Sequence, residues 1–327
     1  MVDRRLTSIE VCAGAGGQAI GLHRAGFKHK ALVEIDAHAA ETLRINGKRL
    51  RWWPSKAVHE GSMVGWTPPS DIGPIDLVAG GVPCPPFSIA GRRLGNDDDR
   101  DMFPSMLELV EHVDPKVVMI ENVRGLLGKR FDGYRQQILA RLARSGYEGE
   151  WELLEAQDFG VPQLRPRSVL VAAKPDVWKF FKWPTPGLKP RVTVGAALGE
   201  MMAEDGWEGA AAWAAAADSV APTLVGGSKK HGGADLGPTR AKRHWDEILG
   251  TNGKVLGNEP PQPGFVGPPK LTVQMAAVIQ GFPTDWELAG KKTAQYRQIG
   301  NAFPPPVAEA VGRQIRHAIQ EAQDAAR

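Results

Sequence analysis

The sequence predicts an α/β fold: an open sheet with helices on both faces, followed by a smaller, irregular region. Three observations predict it. Strand and helix signals alternate through the first half of the chain. Glycines, acids or a Pro-Cys element stand where the predicted strands end. After about residue 183 the composition turns Gly-, Ala- and Pro-rich, with few clear strands.

The elements follow in order. Residues 8–12 read as a strand, followed by a glycine-rich turn and a helix over about 19–25. Residues 30–33 form a second strand ending in acids, Glu34 and Asp36, and 36–46 a helix. Residues 75–79 are a buried strand, 102–112 an amphipathic helix, and 116–120 a buried strand ending at Glu121. Residues 134–145 have helical spacing, and 151–156 and 168–173 read as strands. The Pro- and Lys-rich stretch 183–190 marks a boundary. Beyond it, 210–217 is an Ala-rich helix around Trp213, 258–269 carries five prolines and is extended or a loop, and 306–326 is a final helix.

Composition narrows the class. The chain has 327 residues, 42% hydrophobic and 24% charged, enough for one large domain or two modest ones and too apolar for wholesale disorder. No run of about 18 apolar residues suggests a membrane span, and the polar start at Met1 shows no signal peptide. With only 2 cysteines, Cys12 and Cys84, neither a disulfide framework nor a four-thiolate zinc site is available, and a cytoplasmic setting is expected. The net charge of +3 is too small to indicate a nucleic-acid partner by itself. Residues 226–245 do collect Lys229, Lys230, Arg240, Lys242 and Arg243 against one acid, Asp235; taken alone, that patch reads as a solvated loop.

In such sheets the ligand sits beyond the C-terminal strand ends. The turn Cys12-Ala13-Gly14-Ala15-Gly16-Gly17 opens a helix there, and its glycines let a cofactor approach the backbone. Glu34, at the end of the second strand, suits ribose hydroxyls, and the two together suggest a nucleoside-type cofactor. Cys84, set among prolines just past a buried strand, suits a thiolate nucleophile, against the alternative of a buried structural cysteine. Glu121 can face the same cleft as a proton donor with a raised pKa, or cap a helix. Arg165 and Arg167, at alternate positions of an extended segment, are expected to point the same way toward a carbonyl or phosphate.

In this order and spacing the glycine loop, the Pro83-Cys84 element, Glu121-Asn122-Val123 and Gln163-Leu164-Arg165-Pro166-Arg167 resemble the DNA cytosine-5 methyltransferase family of bacterial and phage type. The tail agrees: Leu271-Thr272 through Gln280-Gly281-Phe282-Pro283 and Gln298-Ile299-Gly300-Asn301-Ala302 resemble the family's last two motifs. The resemblance runs from residue 6 to about 315, with 190–270 unmatched in detail.

The resemblance implies a Rossmann-like S-adenosyl-L-methionine-dependent sheet with a smaller target recognition domain. The implied divisions are 1–188 for catalysis and cofactor, 189–290 for recognition, and 291–327 returning to the catalytic domain. It implies that Cys84 adds to C6 of a flipped-out cytosine, that Glu121 serves N3, and that Arg165 holds O2 with Arg167 in support. C5 then takes the methyl group, a base that the sequence does not name (a water is expected) removes the C5 proton, and the cysteine leaves. Cofactor contacts are implied for Cys12, Ala13, Gly14, Gly16, Gly17, Glu34, Ile35, Ser62, Met63, Pro83, Asn301 and Ala302. Ser62 stands where the family usually has an acid, Glu10 where Asp is usual, and Pro85 where Gln is common. Residues 88–103 resemble the family's mobile catalytic loop, with Ser88 and Arg92 expected at DNA. Thr223-Leu224 resembles the family's pair in the recognition domain, so the basic patch becomes a glycine-rich DNA-contacting loop with Thr223, Lys229, Lys230, Arg240 and Arg243 as contacts.

The expected partner is double-stranded DNA, with a separately acting restriction endonuclease or an orphan role, and the expected state is a monomer. The alternatives are a tRNA cytosine-5 methyltransferase, for which the recognition insert would differ; an inactive DNA-binding homologue, which would lack Cys84, Glu121 or Arg165; and a small-molecule methyltransferase, which would need neither Pro-Cys element nor recognition segment.

Overall fold

The computed structural model describes residues 5–84, 101–187, 191–226 and 234–327. The chain divides into two compact units. Unit 1 comprises Met1–Leu154, Pro166–Pro184 and Ala308–Arg327; unit 2 comprises Glu155–Arg165 and Thr185–Val307.

Unit 1 is built from β1 (Leu6–Val11), α1 (Gly17–Arg24), β2 (Phe27–Glu34), α2 (Ala37–Leu50), β3 (Val58–Glu60), β4 (Leu77–Gly80), α3 (Phe103–Val113), β5 (Val117–Val123), α4 (Asp132–Arg144), β6 (Glu148–Glu155), β7 (Pro166–Ala173) and α5 (Pro175–Trp178). The seven strands form one sheet in the order β3-β2-β1-β4-β5-β7-β6. The pairs from β3 through β5 are parallel, and β7 runs antiparallel to β5. The strand order therefore reverses between β1 and β4, the switch point at which open α/β sheets leave a crevice. β1 is buried along its whole length, as a strand covered on both faces must be. Against the sheet, Phe103, Met106 and Val110 of α3 and Ile138 and Leu142 of α4 join Val78, Val118, Ile120 and Leu170 in one buried cluster.

Each predicted strand and helix of the first half is present, with ends moved by a few residues. β3 was invisible in the sequence because its three residues show no alternation. β5 runs on through Glu121 and Asn122, because β7 pairs with it there: Glu121 faces Val169, Asn122 faces Ser168 and Val123 faces Arg167.

A histidine pins the sheet to the first helix. His29 is buried, with Nε2 2.9 Å from the Ala19 carbonyl and Nδ1 3.1 Å from the Ser8 hydroxyl. A carbonyl only accepts, so Nε2 carries the hydrogen and the ring is neutral. The Trp53 ring meets it edge-on at 5.2 Å, and His23 stacks on Trp52 at 4.5 Å.

Unit 2 contains α6 (Val194–Ala203), α7 (Ala210–Ala216), α8 (Thr239–Glu247), α9 (Val273–Ile279) and α10 (Lys292–Asn301); α11 (Pro305–Ala325) starts in unit 2 and continues into unit 1. Residues 155–165 and 291–307 thus lie with unit 2, outside the limits expected for a 189–290 domain. The helices α6 and α9 begin at Thr193 and Thr272, whose hydroxyls accept the Ala196 and Met275 amides.

Burial lowers the His29 pKa to about 3, so the unfolded chain binds a proton that the folded one refuses. Its contribution to stability is whole above the ordinary histidine value of about 6.5 and declines as the pH falls toward 3. The stability difference between the native chain and His29→Gln, measured by urea unfolding, should therefore shrink from about pH 7 to about pH 4; a constant difference contradicts this.

Candidate active site

Strand register assembles the site. Val33, Val11, Gly80 and Ile120 lie side by side across β2, β1, β4 and β5. The next residues, Glu34, Cys12, Gly81 and Glu121, therefore emerge along one rim of unit 1.

At the β1 end the chain turns through left-handed conformations at Cys12 (φ 51°), Gly14 (φ 54°) and Gly16 (φ 88°). The Glu34 carboxylate straddles this turn: Oε2 accepts from the Gly14 amide and Oε1 from the Asp36 amide, each at 2.7 Å. Burial raises its pKa, and the two amides oppose that rise. Asp36 in turn caps α2 by accepting from the His38 and Ala39 amides. Ile35 is 70% exposed beside this acid, and a Cβ placed on Gly14 would meet nothing within 4 Å. An open glycine turn, an acid at its edge and a bare apolar side chain suit a ligand that has both hydroxyls and a flat ring.

Ala13, Gly16 and Gly17 lie buried in the turn. Cys12 donates to the Met63 sulfur at 3.5 Å, and burial pushes its thiol up to about 12; Met63 itself is a core residue. Ser62 is exposed and accepts from the Val64 amide. Glu10, buried in β1, has its pKa raised by burial and then by Glu34.

At the ends of β4 and β5, Cys84 follows the exposed Pro83 and donates from Sγ to Asn122 Oδ1 at 3.1 Å. Asn122 is itself fixed, its amide nitrogen donating to the Val82 carbonyl and its oxygen accepting the Val123 amide, each at 2.8 Å. Burial, and then the Asp101 carboxylate, push the Cys84 thiol up to about 11, so the resting side chain is a neutral thiol with an aimed proton. Next along β5, Glu121 Oε1 takes Arg167 Nε at 2.8 Å, both side chains about nine-tenths buried. Antiparallel pairing accounts for this contact: Arg167 is the diagonal neighbour of Glu121 on the same sheet face. Arg167 Nη1 is held by the Pro166 carbonyl, and burial lowers its pKa.

The two arginines do not share a target. Arg167 lies in β7, whereas Arg165 precedes Pro166 and the strand, so the expected alternation does not apply. Arg165 is fully buried in unit 2, with Nη1 on the Leu224 carbonyl at 2.7 Å and Nη2 on the carbonyls of Gly300 at 2.7 Å and Ala302 at 3.0 Å. Gln163 joins this network, donating to Gln280 Oε1 at 2.8 Å and accepting the Leu224 amide at 2.9 Å; Gln280 donates to the Ala302 carbonyl at 2.6 Å. The Thr223 hydroxyl is bonded to the Leu164 carbonyl. The backbones of Gly226 and Gly300 cross so closely that a Cβ on Gly300 would lie 2.2 Å from the Gly226 nitrogen. The Arg165 guanidinium is thus engaged inside unit 2, and Arg167 pairs with Glu121, the neighbour of the Asn122 that holds Cys84.

Asn301 is the exposed last residue of α10, and Ala302 the buried one after it. Arg240 and Arg243 are exposed, but on the helix α8 and not on a loop; the alternation of buried Ala241 and Trp245 with exposed basic residues is helical. Arg243 lies 3.5 Å from Glu247, and Lys242 bonds Asp235 at 2.9 Å. Pro85, Ser88, Arg92, Lys229 and Lys230 lie outside the described residues.

Three residues at this site had no assigned role in the sequence. Asn122 sits inside a recognised motif, but only the structure shows its oxygen on the thiol. Asp101 and Tyr134 stand just before and at the start of predicted helices, and their pairing across 33 residues carries no local signal.

The family model for C-5 cytosine-specific DNA methylase matches residues 6–317. The chain is 55% identical to the Type II methyltransferase M.NaeI of Lentzea aerocolonigenes, over 96% of this chain and 75% of that one. It is 50% identical to the Type II methyltransferase M.NgoMIV of Neisseria gonorrhoeae, over 97% and 99%. The solved S. pombe Dnmt2 methyltransferase has a TM-score of 0.62 at 17% identity, covering 97% of this chain and 99% of that one, which speaks to the fold alone.

Iodoacetamide should leave both thiols of the native protein untouched near neutral pH and modify Cys84 only as the pH approaches about 11. Peptide mapping after alkylation reads this out; rapid labelling of Cys84 at neutral pH contradicts the half-buried, protonated thiol.

Proposed function

The chain belongs to the C-5 cytosine-specific DNA methylase family, and from that premise we infer that it methylates C5 of cytosine in double-stranded DNA through a covalent bond between Cys84 and C6. The observation that carries the reading is the rim itself: an aimed thiol, Cys84 on Asn122, beside a buried Glu121–Arg167 pair. Cytosine C5 is a weak nucleophile. Addition of sulfur at C6 makes it an enamine carbon, provided the ring's new charge is met at N3 and O2.

Each residue then has a defined task. Asn122 holds the S–H direction and frees it as the S–C6 bond forms. Glu121 faces N3 and supplies the hydrogen bond or proton there. Arg167 keeps Glu121 in place through Nε and offers Nη2 to O2. Arg165 ties the Leu224 segment to the end of α10. The reacting ring must leave the helical stack to reach the half-buried thiol.

The cofactor we assign is S-adenosyl-L-methionine, which when bound supplies an electrophilic methyl group. The open glycine turn fits it: Glu34 would hold ribose hydroxyls and Ile35 would cover the adenine face, with Cys12 and Met63 as packing beneath. For unit 2 we propose Thr223, Arg240 and Arg243 as DNA contacts. We propose a restriction-modification role, which the relatives' Type II designation supports, with a separately acting endonuclease and a monomeric methyltransferase. No helix among the described residues is long and apolar enough to cross a membrane.

Bisulfite sequencing of DNA and RNA from cells making the protein tests this reading. Protected cytosines should recur at one short DNA sequence and vanish with Cys84→Ala, while that variant still binds DNA. Protection confined to tRNA, or persisting in Cys84→Ala, overturns it. Arg167→Lys should lower kcat by about 100-fold, the scale of losing one donor to a developing charge.

A further inference from the structure

Cys84 opens a stretch of chain that comes back to it. The Met102 amide donates to the Pro83 carbonyl at 3.1 Å, which brings Asp101 alongside the nucleophile. Asp101 is held from two sides. Its Oδ1 accepts the Phe103 amide at the start of α3 at 3.1 Å, and the Tyr134 hydroxyl of α4 lies 2.6 Å from both carboxylate oxygens. Tyr134 is anchored in turn, its ring edge-on to buried Phe103 at 5.7 Å. Among the described residues, the charged and titratable groups that bear on the Cys84 sulfur are Asp101 before α3, Glu121 of β5 and Tyr134 of α4, and Arg167 of β7 holds Glu121. Of these, Asp101 acts on the thiol most strongly.

We propose that Asp101, locked by Tyr134, is a positioning residue for the Cys84 nucleophile: the pair ties the returning chain to Pro83 and sets a fixed negative charge beside the sulfur. The inference rests on the reading of Cys84 given above. Its consequence is selective. In the addition, the S–H bond breaks, the S–C6 bond forms, the C5=C6 pair moves into the ring to be met by the proton at N3, and the thiol proton leaves to water. A free thiolate keeps its charge on sulfur and meets Asp101 in full. In the adduct that charge has passed to the ring and been neutralised. Asp101 therefore disfavours the idle thiolate more than the adduct, so its charge guards the resting sulfur while its bonds fix the chain beside Pro83. It spares the thiol from stray electrophiles and oxidants between turnovers.

The test uses Asp101→Asn and Tyr134→Phe in the full chain, with methyl transfer and iodoacetamide labelling of Cys84 followed in parallel. Asp101→Asn should shift the labelling profile to lower pH, raising the rate near pH 8 about tenfold for each unit moved. Yet kcat should fall about tenfold, with KM for DNA and cofactor unchanged, because the chain at Asp101 is less well fixed beside Pro83. Tyr134→Phe, which keeps the ring and removes the hydroxyl, should lower kcat similarly, and the double variant should fall no further than either single one. An unshifted labelling profile in Asp101→Asn, or unchanged kcat in both single variants, overturns the proposal. A native protein that transfers no methyl group at all overturns the functional reading instead, and the labelling profile then decides the effect of Asp101 by itself.

Discussion

Parallel register at the β1–β4 switch point is the constraint on which the site depends. Val33, Val11, Gly80 and Ile120 stand in one row, so the sheet delivers an acid, a glycine turn, a cysteine element and a second acid to one rim. A slip of one residue in any of these pairings would turn the following side chain to the other face. Antiparallel β7 extends the logic at the far side, because its register with β5 sets Arg167 diagonally beside Glu121. The sheet is therefore the device that converts sequence order into one rim of residues.

Along that rim, burial does opposite things to the groups it covers. It keeps Cys84 protonated, and it is tolerated at Glu121 and Arg167 because each is the other's partner. The result is a rim without a standing thiolate. Unit 2 uses buried polar groups for another purpose. Gln163, Arg165 and Gln280 satisfy one another and the backbones of Leu224, Gly300 and Ala302, so several motifs that are far apart in sequence become one internal network. Such a network is stable when every member is satisfied and fragile when one is removed.

Much of this was legible in the sequence. Unit 1 announces itself through alternating strands and helices, and the candidate residues at strand ends follow from the geometry of such sheets. Cys84, Glu121 and Glu34 stand on one rim because strand termini are local features. What was hidden depends on pairing. Arg165 and Arg167 look equivalent as a spaced pair, and only the start of β7 at Pro166 separates them. Asp101 and Tyr134 meet across a long stretch of chain. In unit 2, α8 was obscured by glycines and charge, although Ala241 and Trp245 mark its buried face.

The covalent role of Cys84 is the central claim, and trapping the adduct tests it most directly. A duplex in which the target cytosine carries fluorine at C5 cannot release a C5 proton, so elimination stops after methyl transfer. Incubation with S-adenosylmethionine should yield a denaturant-stable protein–DNA species whose linked peptide contains Cys84, and Cys84→Ala should yield none. A link at Cys12, or methylation of ordinary DNA with no trapped species on the fluorinated duplex, would contradict the account.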